Sequence, residues 1–291
     1  MGIMAGAEPF EAEGGPTGVL LCHGFTGTPQ SLRPWAEHLA AAGLSVSVPR
    51  LPGHGTRWQD MNVTRWADWY GEVERAYQHL RTRCERVFAC GLSMGGTLVL
   101  RLAEVHPDGV AGLVLVNPSL GTERWDVKYL LPVLHRTVPS MKGIASDIKK
   151  PGTAELAYDR TPLRAMHQLT RLWATVAADL DRVVAPMLIY RSRVDHVVEP
   201  LSGRLLMQGC GGCEITEHVL DDSYHVATLD NDASMIFAGS VDWIQARSAS
   251  ARADGGTAAE TSGTAPSGTA PSSTAPSSTT GVDRDDGTAG T

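Results

Sequence analysis

Arg86-Val87-Phe88-Ala89-Cys90-Gly91-Leu92-Ser93-Met94-Gly95-Gly96 is the stretch whose reading decides the fold. Its first five residues read as a short buried strand, and residues 97–105 carry apolar side chains at helical spacing, so the G-x-S-x-G element between them is framed as a sharp strand-to-helix turn. Such a turn holds its central residue in strained backbone geometry. It also crowds strand against helix, which calls for small residues on both sides, and Gly91, Gly95 and Gly96 supply them. Ser93 is therefore a candidate covalent nucleophile. The five-residue pattern alone is common among ordinary turns, and it gains meaning from the strand before it and the helix after it.

A serine hydroxyl is a weak nucleophile at neutral pH and needs a base that a third group orients. Downstream, residues 186–190 form an apolar strand-like run, with Asp195 in the loop that follows. Residues 214–220 alternate like another strand, and Asp221-Asp222-Ser223-Tyr224-His225 makes a polar turn ahead of an amphipathic helix over about residues 233–245. Asp195 and His225 are the expected acid and base, since the order Ser, Asp, His along the chain suits an elbow-type nucleophile. His196 adjoins the acid and His218 falls inside the strand run, positions that suit surface histidines. Asp221 and Asp222 are rivals for the acid, although a turn aspartate this close to His225 more often bonds its own backbone.

The third requirement is an oxyanion hole. An early strand, Thr17-Gly18-Val19-Leu20-Leu21-Cys22, runs into His23-Gly24-Phe25-Thr26-Gly27, so the candidate donors are the backbone N–H of Met94, next after the nucleophile, and that of Phe25. Pro52-Gly53-His54-Gly55 is a second glycine turn after a strand over residues 44–48, and His54 is read as structural.

With these blocks in hand, the chain resembles an α/β-hydrolase, and within that fold the small bacterial monoacylglycerol lipases and their carboxylesterase relatives. The similarity spans roughly residues 18–244 and rests on His23-Gly24-Phe25-Thr26-Gly27, Gly53-His54-Gly55, Gly91-Leu92-Ser93-Met94-Gly95-Gly96, Glu155-Leu156-Ala157-Tyr158, Asp195-His196-Val197-Val198 and Ser223-Tyr224-His225-Val226-Ala227-Thr228-Leu229-Asp230. It implies a mostly parallel central sheet flanked by helices, with a small cap inserted after the sixth strand. The triad it implies is Ser93, Asp195 and His225, with Phe25 and Met94 as oxyanion donors, in agreement with the residue-level reading. It further implies that Glu155 binds the glycerol hydroxyls of the substrate; taken alone, Glu155 reads as a solvated helix charge. The implied activity is hydrolysis of carboxylic esters, foremost monoacylglycerols, without metal or organic cofactor. The alternatives are a general carboxylesterase or thioesterase and, in a different class, a non-catalytic binding module on the same fold. A long C-terminal segment and Cys210-Gly211-Gly212-Cys213 depart from the family pattern.

A chain of 291 residues suits one catalytic domain over residues 1–248 with an appendage. Between the strand runs 112–116 and 186–190 lie far more residues than a βα loop needs, so a cap is expected over about 119–180, with helix over 161–180. Tyr129-Leu130-Leu131-Pro132-Val133-Leu134 and residues 141–148 supply apolar side chains to it, most of which must serve to pack it onto the core. Residues 249–291 collapse to Ala, Ser, Thr, Gly and Pro with near-repeats such as Gly263-Thr264-Ala265-Pro266-Ser267, and are expected to be disordered.

The net charge of −7 and the absence of a basic cluster exclude nucleic acid as an expected partner. No run is long enough to span a membrane, and the first ten residues lack a signal-peptide pattern, so a cytoplasmic protein is expected, with at most transient contact with lipid surfaces. Met1-Gly2 begins like a myristoylation site, but Gly6 stands where Ser or Thr is wanted. Five cysteines, with Cys22 and Cys90 in apolar strand runs, suit free thiols rather than a disulfide framework. Cys210 and Cys213 alone do not make a metal site. Asn62-Val63-Thr64 matches a glycosylation sequon, which carries no weight without secretion.

Overall fold

The computed structural model of the chain describes residues 2–143 and 146–259. Two units divide the chain, Met1–Ala251 and Arg252–Thr291, and the architecture below is that of the first, to which the last helix belongs as far as Ala251. In chain order it runs β1 (Phe10–Ala12), β2 (Thr17–Cys22), α1 (Arg33–Ala41), β3 (Ser45–Val48), α2 (Trp58–Met61), α3 (Trp66–Arg81), β4 (Arg86–Leu92), α4 (Met94–Val105), β5 (Val110–Val116), α5 (Leu131–Leu134), β6 (Ser140–Lys142), β7 (Arg160–Pro162), α6 (Leu163–Asp179), β8 (Met187–Ser192), α7 (Leu201–Gly209), β9 (Ile215–Leu220) and α8 (Ala233–Ala259).

Seven strands form one sheet in the order β1-β3-β2-β4-β5-β8-β9. Only β1 runs antiparallel to its neighbour; every other pair is parallel. Continuous apolar runs in β2, β4, β5 and β8 explain the parallel centre of the sheet, since a strand covered on both faces needs no polar side. In β2, Leu20 and Cys22 face one core while Val19 and Leu21 face the other, and β4, β5 and β8 split their residues between the faces in the same period-two manner. Trp69, Val73 and Tyr77 of α3, Leu98 and Leu102 of α4 and Leu172 and Val176 of α6 cover the first face. Trp35 and Leu39 of α1 and Ile236 and Ile244 of α8 cover the second. This is the α/β-hydrolase architecture that the resemblance implied.

Three boundaries differ from expectation. The cap lies between β5 and β8 and so follows the fifth strand rather than the sixth, because the sheet starts from a single short antiparallel strand. The residues ahead of β1 are instead drawn into a loop by the bond from Met4 N–H to the Gly55 carbonyl, 2.8 Å. The last helix continues past residue 245 to Ala259, taking in the first residues of the segment expected to be disordered; the rest of that segment, 260–291, lies outside the described residues. Within the cap, β6 and β7 pair antiparallel and α6 returns to pack on the core, a little shorter than the helix expected over 161–180. Among the described residues no helix is long and apolar enough to cross a membrane.

Candidate active site

The candidate residues converge because parallel strands end on the same side of the sheet. Ser93 follows β4, the loop of Gly24 and Phe25 follows β2, Asp195 lies beyond β8 and His225 beyond β9. Side chains at the carboxyl ends of neighbouring strands share one crevice.

Ser93 has φ 55° and ψ −119°, a backbone state that side chains rarely adopt. Neighbouring bonds hold it there: its N–H donates to the Val116 carbonyl at 3.0 Å, and its carbonyl accepts from Thr97 and Ser119 N–H, each at 3.3 Å. The small-residue requirement is literal at two positions. A Cβ on Gly95 would overlap the Cys22 carbonyl, and one on Gly91 would overlap the backbone of Gly95. Met94 opens α4, where first-turn N–H groups have no partner within the helix and the helix dipole favours an anion. The Phe25 loop runs alongside, since a Cβ on Gly24 would stand 4.0 Å from Ser93 Oγ. Thr26, also at positive φ, turns the chain after Phe25, and its carbonyl accepts from Tyr158 N–H of the cap at 3.2 Å.

The His225 imidazole is buried, and its Nδ1–H donates to Asp195 Oδ2 at 2.8 Å. Asp195 Oδ1 accepts from the N–H groups of Val197 and Val198, both at 2.8 Å. Burial works against the charged form of His225, but Asp195, with Glu155 and Asp147 beside it, outweighs that and lifts the histidine above its ordinary range. For Asp195, burial likewise opposes ionisation, and the His225 partnership with the two N–H bonds overcomes it, leaving its pKa lowered. The rival acids are engaged elsewhere: Asp221 with Arg193 at 2.5 Å and Asp222 with Lys149 at 2.6 Å. His218 stacks on Tyr190, and His196 is 54% exposed.

Ser93, His225, Gly24 and Phe25 open onto a cavity of about 300 Å³ roofed by the cap. Leu131, Leu134, Met166, Leu169 and Trp173 form much of its apolar wall, and the Trp173 indole N–H is anchored on Ser119 Oγ at 3.2 Å. Glu155 lines the same cavity. It sits in a loop between β6 and β7, not on a helix, with its N–H held by Ser146 Oγ at 2.7 Å and its carboxyl against Gly27. Desolvation raises its pKa to about 7 against the opposing pull of His225 and a bond from Ser31. Sequence reasoning on Glu155 alone, which gives a solvated helix charge, is thus overturned by the fold around it.

His54 is not among the cavity-lining residues. It is buried edge-on against His23 and Trp69, with Nδ1 on the Pro52 carbonyl at 3.1 Å, and burial keeps it neutral. His23 accepts from Leu51 N–H at 3.2 Å, so it pins the glycine turn to the early loop. Two residues escaped the sequence reading. Asn117, at φ 44°, donates to the His225 carbonyl at 2.8 Å and to Ser192 Oγ at 3.0 Å. Asp147 of the cap accepts from the N–H groups of both His196 and His225. A lone Asn after a strand and a lone Asp in a loop carry no motif that could have flagged them. All five cysteines are free thiols; desolvation raises Cys210 to about 12 and Cys213 less. Among the described residues no group of three or more His, Cys, Asp or Glu is placed to hold a metal ion.

Comparison with known proteins gives one family model, described as serine aminopeptidase, S33, which matches residues 17–232. The chain is 46% identical over 248 residues to the thermostable monoacylglycerol lipase of Bacillus sp. (strain H-257), covering 83% of this chain and 95% of that one. It is 26% identical to a carboxylesterase of Bacillus subtilis (strain 168), covering 81% and 98%. A solved structure from work on LipS and LipT, two metagenome-derived lipolytic enzymes, superposes with a TM-score of 0.81 at 42% identity, covering 84% of this chain and 99% of that one.

Proposed function

The chain belongs to the α/β-hydrolase family described as serine aminopeptidase, S33, and is a serine ester hydrolase; on that premise we propose that it cleaves monoacylglycerols to fatty acid and glycerol through an acyl-enzyme on Ser93. The observation that carries the substrate class is Glu155, which lines the same cavity as Ser93 and His225. A carboxyl there has an alcohol's hydroxyls as its natural partners, since ionised it accepts and protonated it also donates a hydrogen bond. A relative 46% identical to this chain carries monoacylglycerol lipase in its name, which supports the reading.

In this mechanism His225 takes the Ser93 proton as Oγ attacks the ester carbonyl, and Asp195 holds the imidazole in place and stabilises its charge. The N–H groups of Met94 and Phe25 bind the oxyanion as it forms, each worth roughly 2.7–4 kcal/mol in sites of this kind. His225 then protonates the departing glycerol oxygen. Water, deprotonated by the same histidine, releases the fatty acid and regenerates Ser93.

The cap also supports contact with lipid surfaces. Trp125, Tyr129 and Val133, spaced four residues apart, are exposed, while Leu131 and Leu134 of the same segment line the cavity. An aromatic and aliphatic face beside an acyl-lined entrance suits the boundary of a lipid aggregate.

Glu155→Ala tests the substrate class. Hydrolysis of a monoacylglycerol should fall relative to an alkyl ester of the same acid by about ten- to a hundredfold, the value of a charge-assisted hydrogen bond. Equal losses on both substrates would make Glu155 structural and the enzyme a plain carboxylesterase.

A further inference from the structure

Beyond the last backbone bond between β8 and β9, from Arg193 N–H to the Leu220 carbonyl at 2.9 Å, the segments bearing Asp195 and His225 leave the sheet ladder. The ladder no longer fixes their separation. What holds them is a set of side-chain bonds, and one cap residue reaches both segments. Asp147 Oδ2 accepts from His196 N–H and from His225 N–H, each at 3.2 Å. Asp147 Oδ1 accepts from His196 Nδ1 at 2.8 Å, and the Asp147 carbonyl accepts from Val226 N–H at 3.1 Å.

The carboxylate is only 10% exposed, so these bonds are made in a partly desolvated place. On the opposite side of the His225 peptide, Asn117 Nδ2 grips the carbonyl at 2.8 Å. His225 is therefore clamped through its N–H by Asp147 and through its carbonyl by Asn117, while its ring is held by Asp195.

The geometry points to Asp147 as a positioning residue that locks the acid and base segments at catalytic separation and places a negative charge behind the imidazole. This rests on the assignment of Ser93, Asp195 and His225 as the triad. The cap is thereby more than a roof, because a residue inserted between β5 and β8 completes the alignment of groups that follow β8 and β9. Its charge does not touch the imidazole, yet it favours the imidazolium that forms as Ser93 attacks. The ionisable groups facing His225 are Asp195 from the segment after β8 and Glu155 and Asp147 from the cap.

The test uses the full chain with a soluble short-chain p-nitrophenyl ester. Asp147→Asn keeps the shape and removes the charge: kcat should fall about tenfold with KM within about twofold, as expected when alignment and not binding is lost. The acid limb of kcat/KM against pH should also move down by about half a pH unit, because one less negative charge favours neutral His225. His196→Ala, at an exposed position, should cost a few-fold in kcat and leave that limb in place, since the Asp147 charge remains. A folded Asp147→Asn enzyme with wild-type kcat and an unmoved limb overturns the proposal. Should Asp147→Asn fail to fold, an unchanged kcat in His196→Ala overturns it instead. The triad is judged separately by Ser93→Ala: if that variant still turns over ester, the site assignment itself fails, whatever Asp147 does.

Discussion

Replacing Ser93 by alanine removes one hydroxyl from a buried elbow, so folding should be near normal while phosphonate labelling and ester turnover both disappear. Asp195→Asn should cost up to about 10⁴ in turnover, as loss of the orienting carboxylate does in serine proteases, whereas Asp221→Asn and Asp222→Asn should be nearly silent because those carboxylates pair with Arg193 and Lys149. A crippled Asp221 or Asp222 variant beside an active Asp195→Asn would reverse the acid assignment. In the proposed mechanism the same residues set the pH response. His225 must be neutral to take the Ser93 proton, and its pKa is raised, so activity should climb with pH through a midpoint above about 6.5. Glu155, lifted to about 7, titrates in the same window, and the observed midpoint belongs to the pair. Glu155→Gln should therefore shift that midpoint to lower pH. Its effect on stability has a definite sign as well. A carboxyl whose folded pKa is raised costs stability as pH climbs from its unfolded value through the folded one, so Glu155→Gln should raise the thermal midpoint more at pH 8 than at pH 5. The paired imidazole of His225 acts in the same direction, contributing stability at low pH that fades as pH rises through its folded pKa. An acid limb that ignores Glu155→Gln would remove that carboxyl from the neighbourhood of the base.

At the scale of elements, the elbow depends on β2, β4 and α4 touching without side chains between them. Gly95→Ala would drive a Cβ into the Cys22 carbonyl, and backbone on both sides leaves no flexible atom to yield. We expect a loss of about 1–3 kcal/mol in urea unfolding, with turnover falling further than stability because α4 carries Met94 and the turn carries Ser93. Unchanged stability would mean that the strand and helix can part without cost. The cap strands and α6 are secured differently. Tyr158 donates to the Gly53 carbonyl at 2.9 Å and accepts from Thr56 N–H at 2.9 Å, and Asn62 accepts from Arg164 N–H at 3.0 Å. The glycine turn of His54 thus serves as a seat for the cap.

For the whole molecule, the distribution of exposed apolar groups matters more than the net charge of −7. Trp125, Tyr129 and Val133 stand on the cap, outside the cavity wall that Leu131 and Leu134 complete. If this face meets lipid aggregates, Trp125→Ser combined with Tyr129→Ser should lower turnover of emulsified long-chain monoacylglycerol roughly tenfold and leave a soluble short-chain ester untouched, since burying an aromatic side chain is worth about 1.5–3 kcal/mol. Parallel losses on both substrates would point instead to damage in the cap itself.

Taken alone, the sequence determined what local physics determines. Strand, glycine turn and helix around Ser93 are written within about twenty residues, because periodicity and turn chemistry act over that range. Continuous apolar runs fixed which segments became buried parallel strands. The tertiary structure decided which distant groups meet. Asp195 and His225 are 30 residues apart and Asp147 and His225 are 78 apart; local pattern favours Asp195 but leaves Asp221 and Asp222 as rivals, and it does not mark Asp147 at all. Glu155 reads as a solvated charge by composition, and only the surrounding fold strips its water and lifts its pKa to about 7. The reason is the same in each case: charges and hydrogen-bond partners act over a few ångströms of space, and only the folded chain sets those distances.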